Sequence, residues 1–265
     1  MHSVHDQIKT EKKLGFPTFI NMFFRSFFIQ AVWNYQSMIS VGFCLALVPV
    51  AKKLFKDRQD RMDFFNRHLN FFNAHPYFTS FALGAIARVE EDLVLEGEKE
   101  YYKVDRLRSA LIGPLGAIGD QLVWATLKPA SILIGMLLVL LIEGVQTKII
   151  FLFILLALYN IPHIYIRFYG IVRGYHAGFE IYKLLNIKNF TTVQNIYGAM
   201  GALALGIIFG FSLMASGEDH YLYAVVFLLC AAAAYFYKKF KQSTYRSLTL
   251  PIILALLIGI LVENI

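Results

Sequence analysis

Residues 107–129 read Leu-Arg-Ser-Ala-Leu-Ile-Gly-Pro-Leu-Gly-Ala-Ile-Gly-Asp-Gln-Leu-Val-Trp-Ala-Thr-Leu-Lys-Pro. The apolar flanks demand burial, yet the segment carries Gly113-Pro114, Gly116 and Gly119. It then places an ionisable Asp120 beside Gln121, with Trp124 one turn on. Gly and Pro both disfavour a helix interior. Irregular backbone at membrane depth is tolerated only against protein or a water-filled cavity. Apolar segments interrupted by Gly and Pro point to substrate sites, and an intramembrane acid is functional by default. The stretch is therefore expected to form a re-entrant, Gly/Pro-broken hairpin over 107–144, with the short apolar run 130–144 as its second arm.

Composition sets the frame around it. The chain has 265 residues, of which 57% are hydrophobic and 16% charged, and its mean hydropathy is +0.55. That excludes an ordinary soluble domain and leaves room for several spans of about 20 residues each. The polar, basic start Met1–Lys13 leads into no short apolar core with a small-residue cleavage site, so no cleavable signal is expected. A net charge of +7 reads as anchoring to anionic lipid on the cytoplasmic side, not as nucleic-acid binding. Cys44 and Cys230 lie far apart in apolar runs and suggest neither a disulfide framework nor a metal site. The expected fold is all-α: a polytopic membrane protein with N-terminal amphipathic helices on the cytoplasmic side (1–106). A membrane region (107–265) follows, with the hairpin and about four to five spans, the whole acting as one unit.

From Pro17 to about Tyr35 a helix is expected, because Pro suits a first turn. A polar stripe of Asn21, Arg25, Ser26, Gln30, Asn34 and Ser37 follows three- and four-residue spacing. The stripe faces either water from an interfacial helix or a partner subunit. Residues 38–50 continue apolar, and Lys52, Lys53, Lys56 and Arg58 mark a cytoplasmic exit. A second amphipathic helix over 60–75 has Asp60 as its cap and Pro76 as its stop. A third, Thr79 to Glu96, has an apolar half too short to span a bilayer. Later spans are expected at about 149–166, 197–215, 221–237 and 248–263. One set of loops carries Arg167, Arg173, Lys183, Lys188, Lys238, Lys239, Lys241 and Arg246, the opposite set only Lys148 among acids. This asymmetry puts the N-terminus in the cytoplasm and the C-terminus outside. Gly170, Gly174 and Gly178 recur every fourth residue, a spacing that lets helices approach closely.

Asp120 has two compatible readings. A paired or wetted carboxylate accepts hydrogen bonds from substrate hydroxyls, and Gly119-Asp120 also suits a helix cap. Trp124 either stacks on a substrate ring face or packs at the interface. His75 reads as a loop hydrogen-bonder fixing the turn at Pro76, with phosphate acceptor and metal ligand as rivals. No other His or Cys stands at metal-ligand spacing with it, and no metal or cofactor is expected. Glu90-Glu91 by itself says only that a helix has a solvated face. An intramembrane aspartyl protease needs a second acid, and no later span holds an Asp.

The motifs of this chain resemble the IID component of the mannose/fructose/sorbose-family sugar phosphotransferase system. The resemblance runs through Arg25-Ser26, Gln30-Ala31, Trp33-Asn34-Tyr35, Gly42-Phe43, Pro49, Arg67-His68-Leu69, Phe71-Phe72-Asn73, His75-Pro76 and Glu90-Glu91. It is strongest at Gly113–Pro129 and fades to Tyr169-Gly170 and Gly174-Tyr175. Gln121, Ala125 and Lys128 depart from the family pattern, and the segment Ala215 to Tyr221 is short. The resemblance implies a subunit of the bacterial cytoplasmic membrane that forms a translocation path with a IIC partner. A IIB partner, phosphorylated by IIA, phosphorylates the incoming mannose-type hexose. Phosphate then travels on the partners, so no catalytic nucleophile is expected here and His75 stays unphosphorylated. Asn34, Asn73, His75, Asp120, Gln121 and Trp124 are the candidates for the substrate path. Arg25, Lys52, Lys53 and Arg67 are the candidates for partner or lipid contact. The alternative is a membrane scaffold without transport activity of its own.

Overall fold

The computed structural model describes residues 13–215 and the isolated positions Val225, Leu228, Leu229, Ala232 and Ile253. The chain forms two compact units, Met1–Ala204 and Leu205–Ile265. Among the described residues no strand is present, only single bridges pairing Met38 with Asn34 and with Phe72.

Helix α1 (Phe16–Ser26) starts with Pro in its first turn and buries Phe19, Met22 and Ser26, the three- and four-residue spacing of one face. It stops nine residues short of the expected Tyr35. The chain turns instead, because the Asn34 side chain accepts the N–H groups of Gln36 at 3.0 Å and Ser37 at 2.9 Å. Such local side-chain bonds compete with helix. Met38 then takes φ 57°, and Ile39 N–H donates to the Phe72 carbonyl at 3.1 Å. Helix α2 (Ser40–Leu54) leads to α3 (Arg58–His68), whose cap is Asp57 and not Asp60. Asp57 has the extended backbone a cap needs and accepts the N–H groups of Gln59 and Asp60. The α3 helix ends at His68, not 75, since residues 70–73 run alongside the Asn34–Met38 turn.

Helix α4 (Thr79–Glu96) has the bounds its sequence predicts, closed by Gly97 in the left-handed conformation. Every residue from Thr79 to Ala87 is buried, so α4 is the centre of the fold and not a surface helix. Glycines set its crossing with α7 (Val145–Ala177). A Cβ on Gly84 would lie 2.1 Å from the Ile171 carbonyl oxygen, and one on Gly174 would lie 2.3 Å from that of Phe81. Backbone meets backbone, as small-residue faces allow. One core runs from Leu14 through α4 to Ile181, across the expected 106/107 boundary.

The organising stretch departs from expectation. Helix α5 (Tyr102–Gly119) passes without a break into a π-helical segment, Asp120–Leu127, and then into α6 (Lys128–Leu141). The expected re-entrant break at Gly113-Pro114 is a continuous 40-residue helical run. The reversal comes later, at Ile142–Gly144, where Gly144 takes φ 84°. The reason is that Pro114 removes a single ladder bond, whereas opening the backbone in an apolar setting leaves several polar groups without partners. Among the described residues three helices are long and apolar enough to cross a membrane: Tyr102–Leu141, Val145–Lys183 and Thr191–Phe211. The second is longer than the expected 149–166 and carries Arg167 and Arg173 within it. The third heads α8 (Thr191–Ala215), which contains the expected span 197–215. The expected spans 221–237 and 248–263 lie outside the described residues.

Candidate functional site

Helical continuity sorts the motif onto two faces. Leu111, Leu115, Ile118, Leu122, Val123 and Leu127 are buried, while Gly113, Pro114, Ala117, Asp120, Gln121, Trp124 and Lys128 are exposed. Trp124 is 56% exposed, so only part of its surface is covered by the described residues. Lys128 Nζ lies 5.7 Å from its ring centroid. Within the wide π turn, Thr126 Oγ1 donates to the Gln121 carbonyl at 2.9 Å. Such π segments recur at functional sites. Asp120 makes no cap: the position before the π segment is Gly119, and no side chain caps it.

Behind this face stands His75. It is 2% exposed, and its ring meets the Trp124 ring edge-on with centroids 6.0 Å apart. Gly119 makes the approach possible, since a Cβ there would sit 2.2 Å from His75 Cβ. Tyr77 N–H donates to His75 Nδ1 at 3.3 Å, which leaves the proton of the neutral ring on Nε2. Nε2 is buried and has no hydrogen-bond partner. Burial, with the Arg167 charge second, pushes the His75 pKa down to about 4. His75 and Trp124 thus come together, Asp120 and Gln121 are exposed on the same helix as Trp124, and Asn73 is exposed in the same loop as His75. Asn34 is committed to its own turn.

The contact candidates divide. Lys52 and Lys53 are exposed at the end of α2, and Arg25 Nε donates to Asn21 at 2.7 Å on α1. Arg67 turns inward instead. Its guanidinium holds Glu90 with two bonds of 2.7 and 2.8 Å and lies 4.1 Å from the Tyr101 ring centroid. His68 Nε2 reaches the same carboxylate at 2.9 Å. Glu91 accepts the Leu14 N–H at 2.7 Å and the Tyr175 hydroxyl. Both glutamates are fully buried, so the expected solvated face is a polar hub tying the N-terminal arm, α3, α4 and α7 together. Local pattern missed it because the partners are 22 to 84 residues away. Arg167 was also missed as a site residue. It is 5% exposed, donates to the Ser26 carbonyl at the end of α1, and lies over the Phe27 and Tyr77 rings at 4.9 and 4.8 Å. The negative end of the α1 dipole and the two ring faces offset its charge. A lone Arg in an apolar run was the available signal.

The hub makes stability pH-dependent. Burial holds His68 below its ordinary 6.5 against the pull of Glu90. Burial alone would raise Glu90, but hydrogen bonds from Arg67 and His68 outweigh it and keep the carboxyl below its ordinary 4.5. A depressed histidine stays neutral in the fold while the unfolded chain takes up a proton below 6.5, so stability falls with falling pH. A depressed carboxylate adds a loss of the same sign below 4.5. Each group contributes up to about 1.4 kcal/mol per pH unit. The melting temperature of the purified protein is expected to drop steadily from pH 7 to pH 5, less steeply in His68→Gln. An unchanged melting temperature over that range would contradict the assignment.

Among the described residues, three helices long and apolar enough to cross a membrane, one of them (α7) tied to the N-terminal helices through the buried Glu91, have the architecture of an integral membrane protein. The description "PTS system mannose/fructose/sorbose family IID component" matches residues 13–216, and the chain belongs to that family. It is 30% identical over 203 residues to the mannose-specific EIID component of Escherichia coli K12, covering 74% of this chain and 70% of that one. It is 29% identical over 201 residues to the fructose permease IID component of Bacillus subtilis, covering 74% and 71%. Among solved structures it is similar to a chain in the cryo-EM structure of the mannose transporter ManYZ with microcin E492. The TM-score is 0.56 at 28% identity, over 74% of this chain and 71% of that one.

Proposed function

We propose that this chain pairs with a IIC subunit in a bacterial cytoplasmic membrane to complete the translocation path of a mannose-type hexose. A IIB partner charged by IIA phosphorylates the sugar during uptake. The observation that carries the reading is the outward face Gly113–Lys128. It presents a carboxylate, an amide and an indole side by side on a spanning helix, with a buried imidazole behind them. Carboxylates and amides take sugar hydroxyls, and an indole takes a sugar face. Gly113, Gly116 and Ala117 allow a partner helix to approach closely. The N-terminus lies on the cytoplasmic side and the C-terminus outside, where the basic loops and anionic lipid agree. The chain itself supplies no nucleophile.

Asp120→Ala is expected to cut uptake about 10- to 100-fold, the worth of one or two hydrogen bonds to a charged group, while the complex still assembles. Normal uptake in that variant would sink the path assignment. Gly116→Leu places its Cβ in open space, with nothing among the described residues within 4 Å. It is expected to fold yet lose its membrane partner in a mild-detergent pull-down. Full retention of the partner would move the interface elsewhere.

A further inference from the structure

A second cleft lies away from the motif face. Between α6 and α7, a groove of about 470 Å³ is walled by Ile132, Met136, Val139, Phe151 and Leu152, and it includes Gly135, Leu155 and Lys148. The two helices touch at its foot, where a Cβ on Gly135 would lie 2.4 Å from Leu155 Cδ2. The groove reaches from Ile132 to Lys148, beside the Ile142–Gly144 turn. Met136, Val139 and Leu152 are 51, 53 and 52% exposed, which no aqueous surface would keep in one cleft. Lys148 stands at the turn end, where both spans leave the apolar zone, and among the groove residues it is the charged one.

We propose that this groove holds one acyl chain of a phospholipid whose phosphate rests on Lys148. The walls are large and branched, whereas a partner helix would ask for small residues at such close range. An apolar groove with Lys148 in its lining at the end near the turn, where Glu143 is also exposed, complements an amphiphile whose anionic head reaches the lysine. A lysine at the interface contributes about 1 kcal/mol to anionic lipid binding even without a slot. The exposed faces of α7 beside the groove, at Ile150, Phe153 and Ile154, offer apolar surface without a cation and serve as the internal comparison. The inference needs only that the chain sits in a membrane, so it stands or falls separately from the sugar path.

The test uses the full chain in vesicles doped with phosphatidylglycerol carrying a photoreactive diazirine midway along one acyl chain. The same chain on uncharged diacylglycerol is the second probe. Cross-links are expected to concentrate on the groove residues Ile132, Met136, Val139, Phe151 and Leu152 over Ile150, Phe153 and Ile154, and to favour phosphatidylglycerol about tenfold, as one charge-assisted hydrogen bond predicts. Lys148→Glu should remove that preference and leave labelling at Ile161 and Ile164 unchanged. Leu152→Trp, which fills the groove without changing charge, should lower groove labelling by both probes. Labels spread evenly over the exposed faces of α7, meaning annular lipid only, would overturn the proposal. So would equal labelling by the two probes, or groove labelling that survives Leu152→Trp.

Discussion

Arg67→Ala is expected to cost about 3–5 kcal/mol of folding stability, because it leaves the fully buried Glu90 carboxylate without its main counter-charge. The loss reaches further than one ion pair. Arg67 also lies over the Phe64 and Tyr101 rings at 5.0 and 4.1 Å, and its carbonyl accepts Arg108 at 2.7 Å, so α3, α4 and α5 meet at this residue. Removing both charges at once, as in Arg67→Met with Glu90→Leu, is expected to be far milder, since neither apolar replacement strands a charge. Denaturation of the purified chain in mild detergent measures both. An Arg67→Ala protein within about 1 kcal/mol of the parent would refute the hub's structural role.

Gly84→Ala is the second large effect. The added methyl would stand 2.1 Å from the Ile171 carbonyl oxygen and 2.6 Å from the Tyr175 nitrogen. Both are helix backbone, so neither can swing aside, and α4 must separate from α7. A cost of about 3 kcal/mol or more is expected, at the top of the range for overpacking. The crossing also carries the Tyr175–Glu91 bond, so the same change should slacken the N-terminal arm held through Leu14. Gly113→Ala is the control, with nothing within 4 Å of its Cβ position. It is expected to be neutral or stabilising by about 0.5–1 kcal/mol, the usual gain for Gly to Ala inside a helix. Equal effects at Gly84 and Gly113 would mean that the helices do not cross at the glycines.

Much of the fold was legible where cause and effect are local. Composition dictates a membrane protein, because so much apolar surface has nowhere else to go. Thr79 to Glu96 shows its bounds through an apolar run that ends at a glycine able to take the left-handed conformation. Gly170 and Gly174 announce a close crossing by spacing alone. The ordered motifs from Arg25-Ser26 to Pro129 carry the family.

The rest depended on partners that no local pattern names. Gly113-Pro114 reads as a break by propensity, yet a helix in an apolar setting keeps every backbone bond it can, and the run continues to Leu141. Asp57 outranks Asp60 as a cap because the chain is extended at the former. Glu90-Glu91 has the composition of a solvated face, and only the folding of Arg67, His68, Leu14 and Tyr175 around it makes it a core. His75 packs behind the motif helix because Gly119 has no side chain to keep it away. The sequence by itself determined the solvent, the helices and the family. Which polar groups turn inward, and which face of the motif helix is left outward, was decided by tertiary structure, because both follow from contacts between residues far apart in the chain.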